Sequence, residues 1–73
     1  MKYIVFPHYI SIENKRVKTY AIAVLARFIL VKIKWDVSTN GQAVRELVKR
    51  LNKDKIEFIH LDDIIEDFYN EYC

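Results

Sequence analysis

The chain predicts a single compact α+β domain, and three observations carry that expectation. Residues 2–12 are rich in β-branched and aromatic side chains, residues 42–52 and 61–72 each place apolar side chains at helical spacing, and charge is divided sharply along the chain. Residues 1–53 hold 11 Lys and Arg against 3 Asp and Glu, a balance of +8, while residues 54–73 hold one Lys against 7 acids, a balance of −6. The overall charge of +2 therefore hides a dipolar molecule. Asymmetry of this size in so short a chain points to a protein partner, a dimer or a nucleic-acid surface.

The first element, Lys2 to Ile12, reads as an extended segment. Pro7 removes a backbone donor, so the segment is an edge strand, a bent strand or two short pieces. The polar run Glu13-Asn14-Lys15-Arg16 turns the chain. Val17 to Trp35 is ambiguous. Its three alanines and a narrow polar stripe through Arg16, Ala23, Arg27 and Lys34 fit a helix over about 17–31, apolar nearly all round and hence central and buried. A single strand there would run for 19 residues, beyond the usual range of about 3–10. Yet Val31 to Val37 alternates with period two. The leading expectation is thus helices over 17–31, 42–52 and 61–72 with short β segments at 2–12 and 55–60, and the alternative is a long N-terminal β-hairpin (2–12 with 17–36) followed by two helices.

The later helices are better defined. Ser38-Thr39-Asn40-Gly41 supplies capping oxygens, and Val44, Leu47, Val48 and Leu51 stand at i, i+3, i+4 and i+7. Arg45, Glu46, Lys49, Arg50 and Lys53 take the opposite side. In the last helix, Leu61, Ile64, Ile65, Phe68, Tyr69 and Tyr72 share one face, and Asp62, Asp63, Glu66, Asp67, Asn70 and Glu71 the other. Asp62 and Asp63 suit the helix dipole, whereas Glu71 opposes it. No lysine stands four residues on from any of these acids, so the acidic face needs compensation from elsewhere or remains solvated.

A domain near this size buries only about 60% of the surface its unfolded chain exposes, so association is an expected source of stability. Cys73, the single cysteine, excludes an internal disulfide. The longest apolar stretch, Tyr20 to Val31, is broken by Arg27 and falls short of the ~20 residues of a membrane span. With no secretory signal in the first residues, a cytoplasmic protein without a membrane partner is expected.

Catalytic constellations are sparse. One glycine cannot build a phosphate loop, His8 and His60 are far apart in sequence, and the His60, Asp62, Asp63 grouping lacks convincing metal-ligand spacing. No enzyme activity, metal, cofactor or small-molecule substrate is expected. The leading functional expectation is stoichiometric protein binding as an inhibitor or regulator, as a homodimer. Its anchors would be Ile64, Ile65, Phe68, Tyr69 and Tyr72, and its charged rim Asp62, Asp63, Glu66 and Asp67. The alternative is a DNA-binding regulator that uses the basic helix 42–53. Lys15, Arg16, Lys18, Arg45, Lys49, Arg50 and Lys53 would then contact phosphates or an acidic partner. Sparse glycine and a Lys/Ile/Asn-rich composition resemble the small accessory proteins of phages and mobile elements.

Overall fold

A computed structural model describes residues 1–72, with Tyr72 described by its backbone alone. In chain order the elements are β1 (Lys2–Ile12), β2 (Lys15–Ala26), β3 (Ile29–Ser38), α1 (Gly41–Lys53), a 3-10 turn (Phe58–His60) and α2 (Leu61–Tyr72). The strands form one antiparallel sheet in the order β1-β2-β3. Both helices pack on one side of it. The α+β class holds, and so does the arrangement of an N-terminal hairpin followed by two helices, extended by a third strand.

The helix expected over residues 17–31 is instead most of β2, a turn and the start of β3. Two physical reasons explain the difference. Alanine's intrinsic helix preference amounts to tenths of a kcal/mol per residue, which pairing along both edges of a central strand overrides. The turn that divides the run is also concealed, because Arg27 and Phe28 adopt left-handed backbone angles (φ 50° and 70°) that glycine, asparagine or aspartate would normally signal. The first turn is more conventional. Glu13 and Asn14 take φ 51° and 64°, and asparagine tolerates that region well. Pro7 sits in β1 at the sheet edge and leaves the strand unbroken, paired in register opposite Tyr20.

The core lies between the sheet and the helical layer. Tyr3, Ile22, Val24 and Val37 from the strands meet Val44, Leu47, Val48 and Leu51 of α1 and Leu61, Ile65 and Phe68 of α2, so the apolar stripes of both helices face inward. Asn40 caps α1 by accepting from the Ala43 amide at 3.1 Å. Next to this cap, Gly41 leaves room for the Tyr20 ring. A Cβ at this position would lie 2.6 Å from Tyr20 Cε2 and 2.8 Å from its hydroxyl.

The short strand expected over 55–60 is absent. Lys55 adopts φ 53° and closes α1, its amide donating to the Asn52 carbonyl at 3.3 Å and the Ile56 amide to the Leu51 carbonyl at 3.1 Å. Residues 56–58 then run beside the start of β1 without pairing to it. The reason is that Asn52 already occupies that edge. Its Oδ1 accepts from the Tyr3 amide at 2.8 Å and its Nδ2 donates to the Tyr3 carbonyl at 2.9 Å, as a neighbouring strand would. The Tyr3 hydroxyl donates to the Ile56 carbonyl at 2.5 Å, and burial raises its pKa, assisted by the Glu57 charge.

Two outcomes follow for stability. Asn52→Ala leaves both Tyr3 backbone groups without their partner and is expected to destabilise by about 1–3 kcal/mol, a fall in thermal midpoint of roughly 4–8 °C per kcal/mol. Gly41→Ala displaces the Tyr20 ring and is expected to lose about 1–3 kcal/mol by overpacking. Thermal unfolding followed by circular dichroism measures both, and adding Tyr20→Leu to Gly41→Ala should recover part of the loss.

Candidate protein interface

Side chains alternate across a strand, so each face of the sheet is set by parity. On β2, Tyr20, Ile22 and Val24 point to the helices, while Thr19, Ala21, Ala23 and Leu25 point to the opposite, outer face. In register with the outer set stand Lys2, Ile4, Phe6 and His8 on β1. Ile33 on β3 is paired with Ala23, Leu30 with Leu25, and Trp35 lies in the bulge opposite Ala21. Among the described residues, no element covers this face. The molecule is a slab with Cα extents of 38 × 27 × 18 Å, one sheet and one helical layer deep.

The outer face is apolar and organised. Phe6 meets Trp35 edge to face with ring centroids 5.6 Å apart, and His8 lies 4.9 Å from the same indole. Small residues on the central strand allow these rings to lie across it, and Ala21 is 0% exposed even though it belongs to the uncovered side. Around it the large side chains remain in water, with Leu30 51% and Trp35 50% exposed. The neighbouring hairpin tip presents Phe28 at 101% exposure.

One polar group interrupts the face. Asp36, at φ 51° in the bulge, accepts from the Thr19 hydroxyl at 2.5 Å, and His8 Nδ1 lies 2.7 Å from the same carboxylate oxygen. These hydrogen bonds, from His8 first and Thr19 second, hold the Asp36 carboxyl below the usual aspartate range. The constellation is not a nucleophile relay. The Thr19 hydroxyl is bonded to the carboxylate and, at 3.3 Å, to the His8 carbonyl, so its hydrogen bonds do not run to the imidazole that would have to take its proton. Its geometry pins the bulge of β3 to β1 and β2.

The residues that the sequence singles out fall in three places. In α2, Ile65 and Phe68 are buried in the chain's own core and Ile64 and Tyr69 pack partly against it, while the Tyr72 side chain and Cys73 lie outside the described residues. Asp62 is compensated by β3, with Lys32 Nζ at 2.9 Å and Lys34 Nζ at 3.1 Å, and these lysines, Lys32 first, lower its pKa. This partner was invisible while Lys32 belonged to an ambiguous segment. Asp63, Glu66 and Asp67 are exposed, and no ion pair to them occurs among the described residues. Asp67 and Glu71 share a groove with Arg50, between the two helices.

The basic residues are divided by the fold. Arg16 and Lys18 point to the helix side of β2, whereas Lys15, one residue out of phase, belongs to the outer face. Arg16 stacks on Tyr9 (4.3 Å from guanidinium carbon to centroid), and Lys18 and Arg45 stand over the Tyr20 ring at 5.5 and 5.3 Å. Tyr9 and Tyr20 are thus functional candidates that the charge pattern did not single out. Lys49 and Lys53 continue from Arg45 along one exposed ridge of α1, and Arg50 turns toward α2.

No group of three His, Cys, Asp or Glu side chains able to hold a metal occurs among the described residues, and no helix is long and apolar enough to cross a membrane. The chain matches no family model, no curated protein and no solved structure.

Asp36 and Asp62 govern the expected acid response. Both ionise more readily in the folded chain than in an unfolded one, where aspartate titrates at about 3.9. Each therefore contributes stability that is fully present above that value and is lost as pH falls through the lower folded value. The thermal midpoint should decline from about pH 4 downward, and Asp62→Asn should flatten part of the decline. A series of melts across that range measures it, and an unchanged slope in the variant would show that the Lys32 and Lys34 contacts contribute nothing.

Proposed function

We propose that this chain is a non-enzymatic binding protein, a stoichiometric regulator or inhibitor, that operates as a homodimer closed through the outer face of its sheet. The observation that supports this reading is the apolar face formed by Ile4, Phe6, Ala21, Ala23, Leu25, Leu30, Ile33 and Trp35, left without a second layer. Large exposed apolar patches rimmed by polar residues mark association sites. Of the stripe on α2, Leu61, Ile65 and Phe68 are buried in the chain's own core and Ile64 and Tyr69 pack partly against it.

Area, self-complementarity and edge chemistry favour a second copy as the occupant. Three strands of about ten residues, at a rise of ~3.3 Å and a spacing of ~4.8 Å, present a flat face of roughly 500 Å². Two such faces together reach about 1,000 Å² before side-chain relief is added, the size at which specific association begins. A two-fold axis through the face sets apolar rows against apolar rows, as in aligned sheet packing. The His8, Thr19 and Asp36 group enters such an interface already hydrogen-bonded, which limits its desolvation penalty. Pairing through the sheet edges is opposed by Pro7 on β1 and by the bulges of β3.

Sedimentation equilibrium tests this reading. The expected mass is twice the 8.8 kDa of one chain, and Ile33→Glu or Leu30→Glu, which places a charge on the face, should yield folded monomers. A wild-type chain that remains monomeric across the concentration range overturns the reading.

A further inference from the structure

A second surface, on the helix side and away from the face that joins two copies, carries chemistry that self-association does not use. Arg16 lies over Tyr9, Tyr9 is paired across the strands with Lys18, and Lys18 and Arg45 share the ring of Tyr20. Lys49 and Lys53 extend the row along α1 at successive i+4 positions, about 12 Å of further helix. The result is one continuous cationic track that passes from the sheet onto the helix. We propose that this track binds the phosphodiester backbone of nucleic acid.

Three features of the track favour that ligand. The first is that its charges are not neutralised, and three of them, Arg16, Lys18 and Arg45, are held on rings. Among the described residues the ion pairs use Lys32, Lys34 and His8, whereas Arg16, Lys18, Arg45, Lys49 and Lys53 have no carboxylate partner. Ring faces position the guanidinium and ammonium groups and leave their N–H donors for a ligand. The second feature is segregation. Seven of the ten acids lie in residues 54–73, and two acids adjoin the ridge in sequence, Glu46 beside Arg45 and Asp54 beside Lys53. A field divided in this way steers a polyanion to one side of the molecule. The third feature is spacing. Nucleic acid presents a phosphate every ~3.4 Å along each strand, so a row of this length meets about four of them. Tyr9, 47% exposed, adds an aromatic surface beside the track on which an unpaired base can stack.

Fluorescence anisotropy with the full chain and a labelled oligonucleotide, presented single-stranded and as a duplex, tests the proposal. With about four phosphates neutralised, affinity for duplex should fall roughly 100-fold between ~50 and ~200 mM salt. Replacing both Arg16 and Arg45 by alanine should weaken binding about tenfold or more and reduce the salt slope by about two. Lys2→Ala removes an equal kind of charge from the outer face and should change nothing. Tyr9→Leu keeps every charge, so weaker binding at an unchanged slope identifies the ring as a positioning group. Binding of either oligonucleotide form supports the proposal, and tighter single-strand binding that is lost in Tyr9→Leu adds base stacking to it. Absence of binding at low salt overturns it, as does full binding by the doubly substituted chain. Polyglutamate competing as effectively as DNA assigns the track to acidic protein and overturns it equally. Circular dichroism confirms that each variant is folded, and the mass measurement on the sheet face is independent of all these outcomes.

Discussion

The pairing of Asn52 with Tyr3 is the contact on which the rest of the molecule depends. A three-stranded sheet and two helices become one domain only when the helical layer is fixed against the sheet, and apolar burial by itself sets no register. Asn52 supplies the register by donating to and accepting from one residue of β1 across 49 positions of sequence. The Tyr3 ring enters the core from the same residue, and its hydroxyl holds the carbonyl of Ile56 after α1 has ended. One strand residue thereby orients α1, its C-terminal turn and the chain that leads into α2. The Lys32 and Lys34 contacts to Asp62 complete the closure from the opposite edge of the sheet.

That closure consumes Val44, Leu47, Val48 and Leu51 of α1, Leu61, Ile65 and Phe68 of α2, and only one face of the sheet. The two faces of β2 have unlike side chains for a physical reason. Ile22 and Val24 fill the interior against α1 and α2, while Ala21 and Ala23 are small enough for Phe6 and Trp35 to close over them from both neighbours. The second face is therefore packed laterally but has nothing above it. A domain of this size has little surplus stability, so an uncovered sheet face is a driving force for association. Meanwhile Arg16, Lys18 and Arg45 gather on rings rather than on carboxylates, whereas the α2 acids Asp67 and Glu71 line a groove with Arg50. The uncovered apolar face and the cationic track fall on opposite sides of one thin molecule.

Much of this organisation was legible from residue order. The stripes Val44, Leu47, Val48, Leu51 and Leu61, Ile65, Phe68 mark helices because burial on one side imposes a period near 3.6, and both helices lie at the expected positions. Capping oxygens in Ser38-Thr39-Asn40 were equally visible, and the structure selects Asn40. Residues 17–35 were not, because a central strand that is apolar on both faces loses its period-two signature, and because Arg27-Phe28 makes a left-handed turn without the residues that normally announce one. The sheet-face site was hidden for the same reason. Ile33 and Trp35 become neighbours of Ile4 and Phe6 only after two turns have been placed, and Tyr9 and Tyr20 join the cations of β2 and α1 only when the helix lies on the sheet.

Local chemistry in the chain alone determined its α+β class, its two amphipathic helices, the cap that starts α1 and the division of charge along its length. Each of these is set by side chains close together in sequence. Tertiary structure decided what those elements face. It committed Leu61, Ile65 and Phe68 of α2 to the interior, assigned Asp62 to lysines about thirty residues away, left one side of the sheet open, and drew separated cations onto two tyrosine rings. Such pairings follow from strand register and from the docking of α1 at Asn52, which depend on contacts between distant residues.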